Sequence, residues 1–267
     1  MSKKSKYTNK KNNFPPKIDL SDKCSPIVDQ EELGSCTSNA LVSGLREFML
    51  INHDSRPFVK LSRLFVYWLE RHFQGTVEDD SGASLKNGLD ILCTYGTCTE
   101  KIDPYDITKF TEKPSDEEMK EALQYRIYGY KQIYTIYDIK KALYHNNIIV
   151  FSMPIFNSFK TEEVKKTGVI PIPKSNEIKI GEHAMCIVGY DDNFNGGSFI
   201  IRNSWGVQWG KQGYGYIKYE MIDYFTDIWT VLYERKHVKD YLHIIHNFFH
   251  FLINKTYITL KSIFVKK

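Results

Sequence analysis

The chain has 267 residues, enough for one large domain or two small ones, and 42% of them are hydrophobic, so a sizeable core can form. Thirty-six basic against 32 acidic residues leave a net charge of +4, too even a balance for the strong field of a nucleic-acid binder. Five cysteines, Cys24, Cys36, Cys93, Cys98 and Cys186, are an odd count that does not describe a disulfide framework and points to a reducing compartment.

Residues 1–13 are polar and carry Lys3, Lys4, Lys6, Lys10 and Lys11, which read as a solvated, disordered basic tail rather than a nucleic-acid or nuclear-targeting element. No apolar stretch follows these charges, so the tail is not a secretory signal. Ordered structure is expected from Phe14-Pro15-Pro16, where two prolines enforce an extended path. Helical spacing of apolar residues predicts helices over 36–51, 61–73, 84–95, 115–123 and 137–145. The third ends at Gly96, and Ser115-Asp116-Glu117-Glu118 opens the fourth as a capping box. The pattern then changes to short β-branched runs, predicting strands over 148–151, 184–190, 198–202, 214–219 and 228–233. Helices early and strands late make an α+β chain with segregated halves. From about His237 apolar residues return at helical spacing, interrupted by His243, His246, His250 and Lys255. That segment, 237–267, is too polar for a confident membrane span and is expected to pack on the protein or on a second copy, with membrane-surface contact as the alternative.

The sharpest chemical signal is Gln30-Glu31-Glu32-Leu33-Gly34-Ser35-Cys36-Thr37. A cysteine opening a helix sits where unpaired N–H groups and the helix dipole favour a thiolate, the nucleophilic form. Gly34 and Ser35 are small and are expected to leave the sulfur accessible. Gln30, six residues upstream, offers a neutral amide donor for an oxyanion. His183 enters one strand pattern and Asn203 ends the next, so neighbouring strands would let the Asn oxygen orient the imidazole while its other nitrogen faces sulfur. Cys93 and Cys98 have no second Cys/His pair at zinc spacing, so no metal site is expected and they read as buried or loop thiols.

Three motifs in this order resemble the papain-like cysteine peptidases: Gln30-x5-Cys36, His183-Ala184 before Val188-Gly189-Tyr190, and Asn203-Ser204-Trp205-Gly206 followed by Trp209-Gly210 and Gly213-Tyr214-Gly215. The resemblance runs from about Pro15 to Glu234. It implies a two-lobed fold with a helical lobe (about 14–133), a β-barrel-like lobe (about 134–236) and the active-site cleft between them. It further implies an endopeptidase acting on polypeptides through a thiol acyl-enzyme, without metal or organic cofactor. Cys36 then matches the nucleophile, His183 the acid/base, Asn203 the orienting residue, and Gln30 with the Cys36 N–H the oxyanion hole. Trp205 matches the indole covering the Asn–His contact, and Gly82-Ala83 the segment that binds extended substrate.

The sequence also departs from the usual pattern. Leu33 stands where the family carries a disulfide-forming cysteine, and Thr37 replaces the common Trp, as in Gly-Ser-Cys-Thr variants of microbial and viral relatives. A reducing intracellular compartment or a virion fits that loss. With no long pro-segment before Phe14, the tail 1–13 is expected to restrain activity by lying across the cleft. Two rival functions stay open: a catalytically idle binding module, and acyl transfer or trimming of a ubiquitin-like tail.

Overall fold

The computed structural model of the chain describes residues 14–54 and 56–232. The predicted basic tail at 1–13 and the amphipathic segment at 237–267 lie outside the described residues, as does the end of the last predicted strand.

The helices form where capping chemistry and apolar spacing agree. Three consecutive stretches, α-helical Cys36–Ser38, π-helical Asn39–Arg46 and α-helical Glu47–Asn52, make up α1 (36–52). The spacing predicted this helix but not its widened centre. Helix α2, Arg63–Gln74, starts where Ser62 accepts the Phe65 N–H and stops at Gly75, whose left-handed φ of 77° suits glycine. Helix α3, Leu85–Thr94, is capped by Ser84, and α4, Asp116–Ala122, opens with the predicted Ser115/Glu118 capping box. Helix α5, Ile136–Tyr144, is capped by Thr135. A short α6, Glu162–Thr167, went unpredicted.

Among the described residues eight strands make one sheet: β1 Lys17–Asp19, β2 Tyr130–Gln132, β3 Ile149–Phe156, β4 Val169–Ile170, β5 Lys179–Asp191, β6 Ser198–Arg202, β7 Tyr214–Lys218 and β8 Asp227–Val231. Their order is β2-β8-β3-β5-β6-β7-β4, with β1 added on β5, and every pairing but β4–β7 is antiparallel. The sheet is not closed into a barrel, since the path ends at β2 and β4. The α+β layout is as expected, although β1 and β2 come from the first half. Strand β3 runs five residues past its predicted end, through Pro154. Proline survives there because β8 pairs only with 150–152, leaving one edge of Pro154 free of a ladder.

Helix α1 lies against β5 so closely that a Cβ on Gly44 would overlap the Cys186 sulfur, and the Cys186 thiol donates to Ala40 O at 3.2 Å. Leu41, Leu45 and Phe48 from the helix join Val150, Ile187 and Ile201 from the sheet in one continuous core. The chain before α1 straps the sheet: the Leu20 N–H bonds Val188 O, and the buried Arg202 guanidinium donates to Ser25 O and Pro26 O at 2.7 and 2.8 Å. A cavity of about 1380 Å³ opens beside the tip of α1, lined from the helical side by Gln30, Cys36 and Gly82 and from the other side by Ser152 and His183 of the sheet and Trp205 of the loop after β6.

Candidate active site

Cys36 opens α1 on the cavity wall. The turn before it is fixed by a polar network. Tyr105 Oη donates to Gln30 O at 2.9 Å and lies 2.7 Å from Ser35 Oγ, while Asn39 Nδ2 donates to both Ser35 O and Ser35 Oγ at 2.9 Å. Arg63 locks this network, donating to Asn39 Oδ1 at 2.8 Å and Asp29 O at 2.9 Å with its guanidinium 3.6 Å from the Tyr105 ring centroid. Ser35 is therefore a fully buried hub, and it stays out of the cavity that its neighbours Gly34 and Cys36 line. The Gly34 N–H reaches both Asp80 carboxylate oxygens at 2.9 Å, and Tyr67 donates its hydroxyl to the same carboxylate. Tyr67 Oη in turn accepts from Gly82 N at 3.2 Å, which ties the 80–83 loop to the turn leading into Cys36.

Gln30 belongs to both walls. Its N–H bonds Ser204 O at 2.8 Å, its Oε1 accepts from Ser204 Oγ at 2.7 Å, and its Nε2 donates to Leu33 O at 3.0 Å.

On the opposite wall β5 carries His183, and Asn203 follows the last residue of β6. These strands are antiparallel neighbours with Cys186 opposite Arg202, which brings Asn203 back toward His183. His183 Nε2 and Asn203 Oδ1 are 2.8 Å apart. Asn203 Oδ1 also accepts from Ser204 N at 2.8 Å, which fixes the amide with its oxygen toward the ring and makes Nε2–H the donor. The Trp205 ring lies over His183 with centroids 4.8 Å apart, and Phe159 stands edge-on to both. Trp209 stacks on Phe159, completing an aromatic wall that leaves His183 and Asn203 only 3% and 2% exposed.

A sequence profile described as Papain family cysteine protease matches residues 14–226. The chain belongs to the papain family of cysteine proteases. A peptidase C1-like protein of Acanthamoeba polyphaga mimivirus, L477, is 37% identical over 216 residues, 76% of this chain and 68% of that protein. Chymopapain from Carica papaya is 26% identical over 213 residues, 77% of this chain but only 55% of the plant protein. The crystal structure of xylellain, a cysteine protease from Xylella fastidiosa, superposes with a TM-score of 0.77 at 34% identity, covering 86% of this chain and 91% of that one.

In this protease burial works against charge on both walls. It pushes the Cys36 thiol up to about 11, while hydrogen bonds from the backbone N–H groups of Ala184, Thr37 and Cys36 itself pull down and Glu70 pushes up further. It draws His183 down to about 4, opposed by the Asn203 bond and reinforced by Lys160. Either charge alone is disfavoured; a thiolate and an imidazolium formed together compensate one another. The cavity rim is acidic, with Asp29, Glu31, Glu32, Asp80, Glu182 and Asp227 against Lys160 and Lys165, the reverse of the chain's net charge.

All seven residues read from the sequence, Gln30, Cys36, Gly82, Ala83, His183, Asn203 and Trp205, stand at one place, and all but the buried Asn203 line the cavity. Both backbone groups of Gly82 already have partners, its N–H on Tyr67 and its carbonyl on Ser81 Oγ at 3.1 Å. The five cysteines are free thiols. Sequence reading missed Arg63, Tyr105, Phe159, Ser204 and Glu70. Ser204 lay inside a motif already in hand; nothing in the spacing of the others tied them to Cys36 or His183.

Proposed function

We propose that the protease is an endopeptidase that cleaves polypeptides through an acyl-enzyme, with Cys36 as nucleophile, His183 as acid and base, and Asn203 as the residue orienting it. The observation that carries this reading is the His183 Nε2–Asn203 Oδ1 bond facing a cavity that also holds a helix-tip cysteine. With Nε2–H committed to Asn203, Nδ1 remains for the sulfur. His183 takes the Cys36 proton, the thiolate attacks the scissile carbonyl, and a C–S bond forms. The oxyanion is met by the Cys36 N–H and by Gln30, whose Nε2 keeps a second N–H after donating to Leu33. Collapse breaks the C–N bond as imidazolium gives its proton to the leaving amine. Water, deprotonated by His183, then attacks the thioester; the C–S bond breaks, the acid departs and the thiol is restored.

Trp205 keeps water from the His183–Asn203 contact, and Gly82-Ala83 receives the substrate backbone, which must displace the Tyr67 and Ser81 bonds of Gly82 to pair there. The lobe boundary falls near residue 133, and the tail 1–13 restrains turnover. A fluorogenic peptide-library assay tests the whole reading: wild type cleaves and Cys36→Ala does not. Equal rates for the two proteins refute it, and equal rates with and without residues 1–13 refute the restraint.

A further inference from the structure

Glu70, on α2, is fully buried, and the mechanism above does not use it. Its Oε2 accepts the Thr37 hydroxyl at 2.8 Å, and Thr37 is the residue after Cys36 in the first turn of α1. Its Oε1 has no hydrogen-bond partner among the described residues. On the third side stands Gly88 of α3, where a Cβ would overlap both Glu70 Oε1 and Leu41 Cδ1. Three helices thus meet on one carboxyl, and α3 has given up a side chain to make room for it.

Among the described residues no cation answers this group directly. The neighbouring Arg71 guanidinium lies over the Tyr67 and Phe110 rings and donates to Val77 O and Phe110 O, so its charge acts on Glu70 only from a distance. On α1 the titratable group facing it is Cys36, and α3 presents Gly88. A buried carboxylate with one oxygen unpaired is costly; the neutral acid, accepting one hydroxyl and carrying no charge, costs less. Burial accordingly pushes the Glu70 carboxyl up to about 8. Once ionised, it places a second negative charge beside the Cys36 sulfur and opposes the thiolate.

We propose that Glu70 is a positioning residue for the nucleophile: as a neutral acid it holds Thr37, and with it the turn that carries Cys36, and on losing its proton it turns the enzyme down at alkaline pH. The inference rests on Cys36 being the nucleophile, so its test separates the two claims. The rate of Cys36 carboxamidomethylation by iodoacetamide, read by peptide mass spectrometry, is followed from pH 5 to 10 in wild type, Glu70→Gln, Thr37→Val and Thr37→Ser, together with kcat and KM on a fluorogenic peptide.

Glu70→Gln keeps an oxygen for Thr37 but cannot ionise. Its alkylation midpoint shifts to lower pH by a factor of at least about three in proton concentration, and its kcat/KM, scaled to its own maximum, loses the decline beginning near pH 8. Thr37→Val lowers kcat by about tenfold with little change in KM, and Thr37→Ser, which keeps the hydroxyl, restores most of it. Superimposable wild-type and Glu70→Gln profiles overturn the ionisation role. Equal kcat for Thr37→Val and Thr37→Ser overturns the positioning role, and the Thr37 pair decides that point even if Glu70→Gln does not fold. No alkylation of Cys36 in any of the proteins removes the nucleophile assignment, and the inference with it.

Discussion

His183 and Asn203 stand on paired strands and are walled in by Phe159, Trp205 and Trp209, so one side of the cleft is positioned by a β-ladder and by apolar packing. Cys36, across from them, stands at a helix tip whose approach is held by polar side chains, Arg63, Asn39, Ser35 and Tyr105, and whose first turn leans on a buried carboxyl. Ladders and aromatic packing are nearly indifferent to pH. Buried polar groups are satisfied only at particular protonation states. The contrast teaches where this protease is to be perturbed: the imidazole wall by removing bulk, the thiol wall by changing charge.

The largest effect is expected from the two groups proposed to react. Cys36→Ala and His183→Ala should each lower kcat/KM by at least about 10⁴-fold, Cys36→Ala with thermal stability little changed, and substantial residual turnover would break the assignment of either wall. Gln30→Ala, which removes the amide shared between the walls, should cost about 10²-fold in kcat, read from full saturation curves. It should also lower the melting temperature, because Ser204 Oγ and Leu33 O lose their partners.

Charge should govern stability on the helical side. The Glu47 carboxyl, raised by burial to about 7, and Glu70, raised to about 8, both bind protons more tightly when folded than when unfolded. Their contribution is therefore complete below about pH 4.5 and is lost as pH rises through 7 to 8. Melting temperature should fall from pH 6 to pH 9, and Glu47→Gln should shrink that fall; parallel curves for variant and wild type would contradict the linkage. At the seam between α1 and the sheet, Gly44→Ala should destabilise the fold by about 1–3 kcal/mol in urea titrations, because its methyl meets the Cys186 sulfur. The smallest effect concerns the acidic rim: a peptide rich in Arg and Lys should be cleaved several-fold faster than its acidic counterpart, and 0.5 M salt should narrow the gap.

The imidazole wall was legible in the sequence because its parts are local. His183 enters a strand pattern, Asn203 and Trp205 share one motif, and antiparallel neighbours bring them together. The helices were legible for a similar reason, since Ser62, Ser84, Ser115 and Gly75 punctuate them with short-range chemistry. Cys36 was legible, but the groups holding it were not. Arg63, Tyr105 and Glu70 come from positions 27 to 69 residues further along and read as ordinary helix or loop residues until the chain closes. Strands β1, β2 and β4, two or three residues each, carry no periodicity and exist only because the sheet edge offers them partners. Pro154 concealed the second half of β3, since a proline argues against a strand until one knows which edge is unpaired.

Activation of Cys36 across the cleft is decided by reacting the full-length chain with a peptidyl epoxide and mapping the adduct by mass spectrometry. The expected result is a single adduct on Cys36, formed far more slowly in His183→Ala, with Cys24, Cys93, Cys98 and Cys186 untouched. Adduct formation at Cys36 with the same rate in His183→Ala, or modification of another cysteine in its place, would contradict a thiol on one wall activated by an imidazole on the other.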